Sequence, residues 1–164
     1  RTVDYYLTLT SDGSTLSRVV HASVLAGLDT ACSWALFRQA LISDLDDTQW
    51  GTTREGIHLG AMAGTLDIVT RSFAGLRLGT NELAFSPRLP ARLSGTLRLA
   101  YRGHRVDVHV TDAKLTLSLR SSPAAPIQVR VGATTARLAG GTSREFSISP
   151  ATSPPNSATE EDPQ

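Results

Sequence analysis

The chain has 164 residues, of which 40% are hydrophobic and 19% are charged, and this is enough to bury a core. Sixteen basic residues stand against fifteen acidic ones, for a net charge of +1, and the basic residues are scattered singly. A nucleic-acid surface needs clustered basic residues, so we expect no nucleic-acid partner. The single cysteine, Cys32, excludes an internal disulfide and a zinc site built from paired cysteines.

The apolar runs and the N-terminus bear on cellular location. No apolar run reaches the roughly 18 residues of a membrane-spanning helix, so we expect no membrane association. The N-terminus lacks the pattern of a signal peptide, and a lone cysteine fits a reducing compartment, so we predict a cytoplasmic protein. Because the chain begins with Arg1 inside an extended segment, we expect it to be a piece of a longer protein, and targeting signals before Arg1 stay open.

In the first half of the chain, apolar residues recur at helical spacing. Ser14 or its neighbour is placed to cap a first helix that ends near Gly27, and Asp29 is placed to cap a second. A third helix is predicted from the segment "GTTREGIHLGAMAGTLDIV", residues 51–69, onward to about Phe73. Its apolar side chains point in nearly every direction, so we expect it to be buried in a larger helical body that this chain does not contain.

From about Leu76 the apolar period changes to two. "TLRLAYRGHRVDVHV" alternates apolar and polar residues around a turn at Arg102-Gly103, and "AKLTLSLR" and "IQVRV" repeat the alternation. Strands that are polar on one face favour an antiparallel β-sandwich, here over residues 76–149. Residues 150–164 have almost nothing to bury and are predicted to be a disordered tail. The fold class is therefore α+β.

Several of these segments resemble the C-terminal end of glycoside hydrolase family 65, which includes maltose, trehalose and kojibiose phosphorylases and related hydrolases. The resemblance is carried by "GTTREGIHLGAMAGTLDIV", "FAGLRL" and "LAFSPRLPARLSGTLRLAYRGHRVDVHVT", with a weaker likeness at "YYLTLTSDGSTLSRVVHA". It implies that residues 1–75 are the last helices of an (α/α)6 catalytic barrel and that residues 76–149 are the C-terminal sandwich domain. The family's phosphorylases cleave an α-glucosidic bond with inversion, using phosphate and releasing β-glucose 1-phosphate.

A phosphate nucleophile must be positioned, and helix N-termini, hydroxyls and an imidazole suit that task. "DGSTLS" offers Ser14 and Thr15 at one predicted helix start, and "REGIHLG" offers His58 and Gly60 at another. The resemblance points to the same four residues as part of a phosphate and substrate site, with Thr15 standing where a second serine is more usual. The simpler alternatives are an N-cap role for Ser14 and a hydrogen-bonded core role for His58.

Two further expectations concern the glycines of the third helix and the general acid of the reaction. Gly56, Gly60 and Gly64 are spaced four apart, which predicts one helix face that a neighbouring backbone or a sugar ring can approach closely. The resemblance places the general acid, a glutamate, in the central part of the barrel. We therefore expect no catalytic residue in this chain and expect the chain alone to be inactive.

The expected partners follow from the same resemblance. They are a small α-glucoside and inorganic phosphate as co-substrate, with no metal or organic cofactor, and a homodimer is a further possibility because homodimers occur in the family. A hydrolase that uses water on the same fold is the close alternative to a phosphorylase. An alternative of another class is a non-catalytic module that is structural or contacts carbohydrate.

Overall fold

The computed structural model describes residues 5, 8, 9, 14–48, 51–91 and 93–148. Within these residues the first half is helical and the second half is made of β-strands, as the change of period predicts. The predicted tail at 150–164 lies outside the described residues. None of the described helices is long and apolar enough to cross a membrane. The main helices are α1 (Thr15–Leu25), α2 (Thr30–Leu41) and α3 (Leu59–Asp67).

Both predicted caps are confirmed. Ser14 has an extended backbone, and its hydroxyl accepts the N–H of Leu16 at 3.2 Å. The Asp29 carboxylate accepts the N–H of Cys32 at 2.9 Å, which starts α2. Each cap satisfies one of the N–H groups that a helix start leaves outside its own hydrogen-bond ladder.

The three helices alternate in direction. The short turn between α1 and α2 forms an antiparallel hairpin, and the Ser33 hydroxyl at the start of α2 donates to the Ala22 carbonyl near the end of α1, at 2.6 Å. α3 runs parallel to α1, because Gly60 lies against Leu16 and Gly64 lies against Val19. The N-termini of α1 and α3 therefore lie side by side at one end of the helical half.

The three glycines of the opening segment do not share a helix face, so that prediction is wrong. A 3-10 helix spans Thr52–Glu55 and ends at Gly56, whose φ of 131° requires glycine. α3 begins three residues later, which leaves Gly60 and Gly64 on the helix. The glycine spacing suggests a helix that starts one turn too early, because the irregular segment around Gly56 also keeps an interval of four residues.

α3 continues as a π-helix over Ile68–Phe73, close to the predicted end. The Phe73 ring is fully buried and packs edge-on against Phe37 with centroids 5.5 Å apart, while Phe37 stacks on Trp34 at 5.2 Å. This aromatic cluster fixes the end of the third helix against α2. It forms much of the core of the helical half.

An apolar face of the helical half is uncovered in this chain. Nearly all the large exposed hydrophobic side chains of the described residues precede Gly75, and Leu78 is the exception. Leu59 and Leu66 on α3 are 70% and 69% exposed, so α3 is covered on one side only. That α3 belongs inside a larger helical body stays a prediction. On α1 the exposed stripe comprises Leu16, Val20 and Val24.

The second half is a sandwich of two four-stranded sheets. One sheet has the order β1-β2-β6-β7, from Arg77–Leu78, Glu82–Phe85, Ile127–Val131 and Thr134–Leu138. The other has the order β3-β4-β5-β8, from Gly95–Tyr101, His104–Val110, Lys114–Leu119 and Ser143–Ser147. Alternate residues of both sheets meet in one apolar core, as the period of two predicts.

One strand pair departs from the predicted antiparallel arrangement. β2 and β6 are parallel, with Leu83 opposite Val129. The chain between them forms three strands of the other sheet, and a connection of that length permits parallel pairing. The predicted turn at Arg102-Gly103 is confirmed, with φ values of 49° and 82° at its two residues.

Candidate functional site

The candidate site is the end of the helical half where α1 and α3 begin. We call this end the mouth and define it by Ser14, Thr15, Asp44, His58 and Gly60. The Leu16 side chain lies against Gly60, so the two helix starts are neighbours. α1 has 11 residues and α3 has 9, and each N-terminus presents backbone N–H groups and the positive end of a helix dipole. Two such ends side by side favour an anion.

On α1, Ser14 and Thr15 differ in exposure. Ser14 is exposed, and its hydroxyl already caps the helix. Thr15 is 4% exposed, so its side chain packs inside this chain. Helix geometry keeps the Thr15 N–H outside the helical ladder, since it belongs to the first turn. Thr15 is therefore better placed to offer its backbone N–H than its hydroxyl.

His58 stands immediately before α3 and is held by Asp44. The Asp44 carboxylate accepts the backbone N–H of His58 at 2.9 Å and contacts its ring Nδ1 at 2.5 Å. Asp44 lies in the loop after α2, and its side chain is 8% exposed, against 30% for His58. One carboxylate thus fixes both the start of α3 and the orientation of the imidazole.

The contact with His58 also fixes the charge of Asp44. The hydrogen bond from the His58 ring, with a smaller contribution from the His58 backbone N–H, lowers the pKa of the Asp44 carboxyl below its ordinary value, although burial acts in the opposite direction. An ionised Asp44 accepts a proton-bearing Nδ1.

The two helical glycines serve different purposes. A side chain at Gly64 would overlap Val19 Cγ1, so Gly64 lets α1 and α3 approach each other. A Cβ at Gly60 would meet Leu16 Cδ2 at 3.4 Å, which is ordinary contact distance. Packing therefore requires Gly64 and does not require Gly60. Gly60 is exposed in the first turn of α3, where its N–H faces outward from the helix start.

Asp44 is the residue of the mouth that the sequence analysis missed. Its signal was the acidic loop "SDLDD", which precedes the polar segment leading to His58. The same loop is shaped by Asp47, whose carboxylate accepts the N–H groups of Gly51 at 3.1 Å and Thr53 at 3.4 Å. The loop therefore has one carboxylate that orders its backbone and another that holds the histidine.

Comparison with known proteins places these features in a family. Residues 1–67 match the sequence profile of the glycosyl hydrolase family 65 central catalytic domain, and residues 76–138 match that of the family 65 C-terminal domain. The two matches together cover more than half of the chain. The chain belongs to glycosyl hydrolase family 65. The mouth lies within the residues that match the family's catalytic domain.

Several family 65 relatives are similar to this chain. An uncharacterized glycosyl hydrolase of Mycobacterium tuberculosis is 45% identical over 150 residues, which cover 90% of this chain and 11% of the relative. Trehalose 6-phosphate phosphorylase of Lactococcus lactis is 37% identical over 119 residues, which cover 70% of this chain and 15% of the relative. The chain therefore spans only a small part of the curated relatives it matches.

A solved structure shows the same fold. It is assigned as a kojibiose phosphorylase from the human microbiome and superimposes with a TM-score of 0.75 at 20% identity. The superposition covers 89% of this chain and 19% of that structure. The helical half and the sandwich thus occur together, in this order, in a much larger protein.

Proposed function

We propose that this chain is the C-terminal part of an inverting α-glucoside phosphorylase, which converts a disaccharide and phosphate into β-glucose 1-phosphate and a sugar. The observation that carries the proposal is the pairing of two helix N-termini at the mouth, with an oriented imidazole between the loop and α3. Similarity to trehalose 6-phosphate phosphorylase supports phosphorolysis as the reaction class. The disaccharide is an α-glucoside such as trehalose, maltose or kojibiose.

The alternating helices support a place within an (α/α)6 barrel. In such a barrel, successive helices reverse direction, so that every second helix points the same way. α1 and α3 are parallel and α2 is antiparallel, and the exposed apolar stripe of α1 and α3 is available for further helices. We propose residues 1–75 as the last helices of the barrel and residues 76–149 as the sandwich domain. The cytoplasmic location and the homodimer also stay predictions.

In the proposed reaction the mouth holds phosphate on the face of the sugar opposite the leaving group. Phosphate brings its own negative charge, so the protein must orient the anion rather than supply a second carboxylate. Ser14 offers its hydroxyl, and Thr15 and Gly60 offer backbone N–H groups at the two helix starts. The general acid that protonates the leaving sugar lies in another part of the barrel.

His58 is the positioned donor in this scheme, and Asp44 is its positioning residue. In the proposal, Nδ1–H donates to the ionised Asp44, which holds the ring beside the start of α3, and the imidazole contacts a phosphate oxygen.

The direct test of the reaction is product analysis of the longer polypeptide that carries this chain. The polypeptide is incubated with trehalose, trehalose 6-phosphate, maltose or kojibiose, with and without phosphate, and products are followed by proton and phosphorus NMR. Phosphorolysis predicts β-glucose 1-phosphate that forms only when phosphate is present. Release of glucose at the same rate without phosphate would show a hydrolase, and absence of cleavage of every α-glucoside would favour a non-catalytic module.

A matched pair of helix caps tests the role of the mouth. Ser14→Ala and Asp29→Ala each remove one N-cap, at a cost of about 1 kcal/mol. The Ser14 cap lies at the mouth, whereas the Asp29 cap lies at the opposite end of the α1–α2 hairpin. We expect similar losses of stability from both variants, and a raised KM for phosphate from Ser14→Ala alone. Equal effects on KM would assign Ser14 a purely structural role.

A further inference from the structure

A second polar cleft lies at the other end of α1, about 15 Å from the mouth by the rise of the helix. It has a volume of about 460 Å³ and lies between the last turn of α1, the π-helix, β1 and the segments that flank β1 and β2. We call it the arginine cleft. Its main polar side chains are Ser23, Asp67, Arg71, Ser72, Arg77 and Arg88.

Backbone contacts hold the floor of the arginine cleft. The Arg88 N–H donates to the Phe73 carbonyl at 2.7 Å, and the Ser86 N–H donates to the Gly75 carbonyl at 3.1 Å. Gly75 has a φ of 66°, and a side chain there would overlap the Ser86 backbone. The segments on either side of the cleft are thus joined at a position that only glycine fits.

The walls of the cleft are also built by local features. The π-helix carries Arg71 and Ser72, and π-helical turns are frequent at functional sites. A side chain at Gly27 would overlap the Arg88 guanidinium, so this guanidinium lies directly on the glycine at the end of α1. The Ser23 and Ser72 hydroxyls are 3.1 Å apart and join α1 to the π-helix.

The charge of the arginine cleft favours an anion. Three guanidinium groups line it against the single carboxylate of Asp67. Arg71 contacts Asp67 through Nε at 2.8 Å, and Arg77 donates through Nη1 to the carbonyls of Arg71 and Leu76 at 3.4 and 3.3 Å. These contacts engage one nitrogen of Arg71 and one of Arg77. A guanidinium has five N–H donors in a geometry suited to phosphate, so further donors of each group can bind a ligand.

The other lining groups favour hydroxyls on the same ligand. Ser23 and Ser72 can each donate and accept, and Asp67 accepts. The C-terminal end of α1 carries exposed carbonyl groups and the negative end of the helix dipole, so it favours hydroxyl donors of a ligand over a bare anion. No aromatic side chain is among the residues described as lining the cleft, so it offers no stacking surface for a base. The groups fit a ligand with a phosphate at one end and several hydroxyls at the other.

We propose that the arginine cleft binds a phosphorylated polyol, of which a sugar phosphate is the usual form. The guanidinium groups of Arg77 and Arg88 hold the phosphate, and Ser23, Ser72 and Asp67 hold the hydroxyls. The proposal does not depend on the activity of the mouth, since the two sites occupy opposite ends of α1. A ligand here bridges the helical half and the sandwich.

The test uses glucose 6-phosphate as the probe, titrated calorimetrically into the longer polypeptide that carries this chain. Glucose and inorganic phosphate are titrated separately. The cleft variants are Arg77→Gln and Arg88→Gln, and the mouth variant is His58→Gln. Arg98→Gln is the matched control, because Arg98 is an exposed arginine on β3, in the β3-β4-β5-β8 sheet of the sandwich. Circular dichroism of each variant checks that the fold is retained.

We expect each cleft variant to weaken glucose 6-phosphate binding about tenfold or more, since each removes a charge-assisted contact. His58→Gln and Arg98→Gln should leave a binding event of unchanged affinity. In the His58→Gln variant, in which the proposed phosphate site of the mouth is impaired, glucose or phosphate alone should bind more weakly than the probe. The proposal is overturned if folded cleft variants bind as the unmodified protein does. It is equally overturned if no binding occurs at about 10 mM probe.

Discussion

Replacement of Asp44 by asparagine tests how the mouth orients its histidine. Asparagine has nearly the same shape, and its oxygen can still accept the His58 backbone N–H, which lies 2.9 Å from the carboxylate. In the unmodified protein, Nδ1 of His58 lies 2.5 Å from a carboxylate oxygen of Asp44. In the variant the amide nitrogen of asparagine takes the place of that oxygen. Two donors cannot share that contact, so the variant holds the neutral imidazole with Nδ1 as acceptor.

The size of the effect follows from the hydrogen bonds. Asp44→Asn keeps the bond to the backbone and replaces one charge-assisted bond to the ring with a neutral one, which is about half as strong. Loss of carboxylates that orient metal-binding histidines lowers affinity about 10- to 100-fold. We expect the lower end here, because the fold of the loop survives: about a tenfold rise in the KM for phosphate, with a smaller change in kcat.

The assay measures initial rates of phosphorolysis against phosphate concentration, in the longer polypeptide that carries this chain. Asp47→Asn is the control, because Asp47 is a carboxylate of the same loop that binds backbone N–H groups and not the histidine. A folded Asp44→Asn variant with an unchanged KM for phosphate would refute the positioning role. So would an equal rise in KM from Asp47→Asn, which would point to the loop as a whole.

The remaining predictions concern the pH dependence of the start of α3, the packing of its two glycines, and the behaviour of the 164-residue chain by itself. The pKa of the Asp44 carboxyl is lower in the folded protein than its ordinary value of 3.8. Its stabilisation of the start of α3 is therefore complete at any pH above 3.8, and it is lost as the pH falls through the lower pKa of the folded protein. At pH 5 to 6, amide hydrogen exchange over residues 57–62 should thus be slower in the unmodified protein than in Asp44→Asn. In stronger acid the two exchange rates should become equal, and a difference that stays constant with pH would contradict this. Gly64→Ala should lower stability by about 1–3 kcal/mol through overlap with Val19, whereas Gly60→Ala should keep the melting temperature and raise the KM for phosphate. The 164-residue chain alone should bind a hydrophobic dye, melt without a sharp transition and cleave no glycoside, and a cooperative melt of a monomer would contradict this.

The features that sequence predicted well are those set by local physics. The two helix caps depend on single side chains that bond within three residues of themselves, and both lie where the sequence places them. The alternation of the strands likewise follows from neighbouring residues on one pleated surface. The turn at Arg102-Gly103 follows from the backbone that glycine permits.

The features that sequence missed depend on contacts between distant segments. Asp44 and His58 are joined across a loop whose path is set by Asp47 and by the Arg18 side chain, which donates to the Thr48 hydroxyl at 3.1 Å. Nothing in the spacing of two residues fixes such a path. The parallel pairing of β2 with β6 is of the same kind, because it depends on where a long connection returns.

The spacing of the two helix starts at the mouth depends on a packing contact one helical turn further along α1 and α3. α1 and α3 approach closely at Gly64 and Val19, about 6 Å along the axis from Gly60. A larger residue at Gly64 would push the helices apart and separate the two N-termini, even though it touches neither end. In the proposed phosphate site, Gly64 therefore controls the spacing of the two helix starts, and Gly60 leaves the space in front of them open to a ligand. The proposal thus gives the two glycines of one short segment different roles.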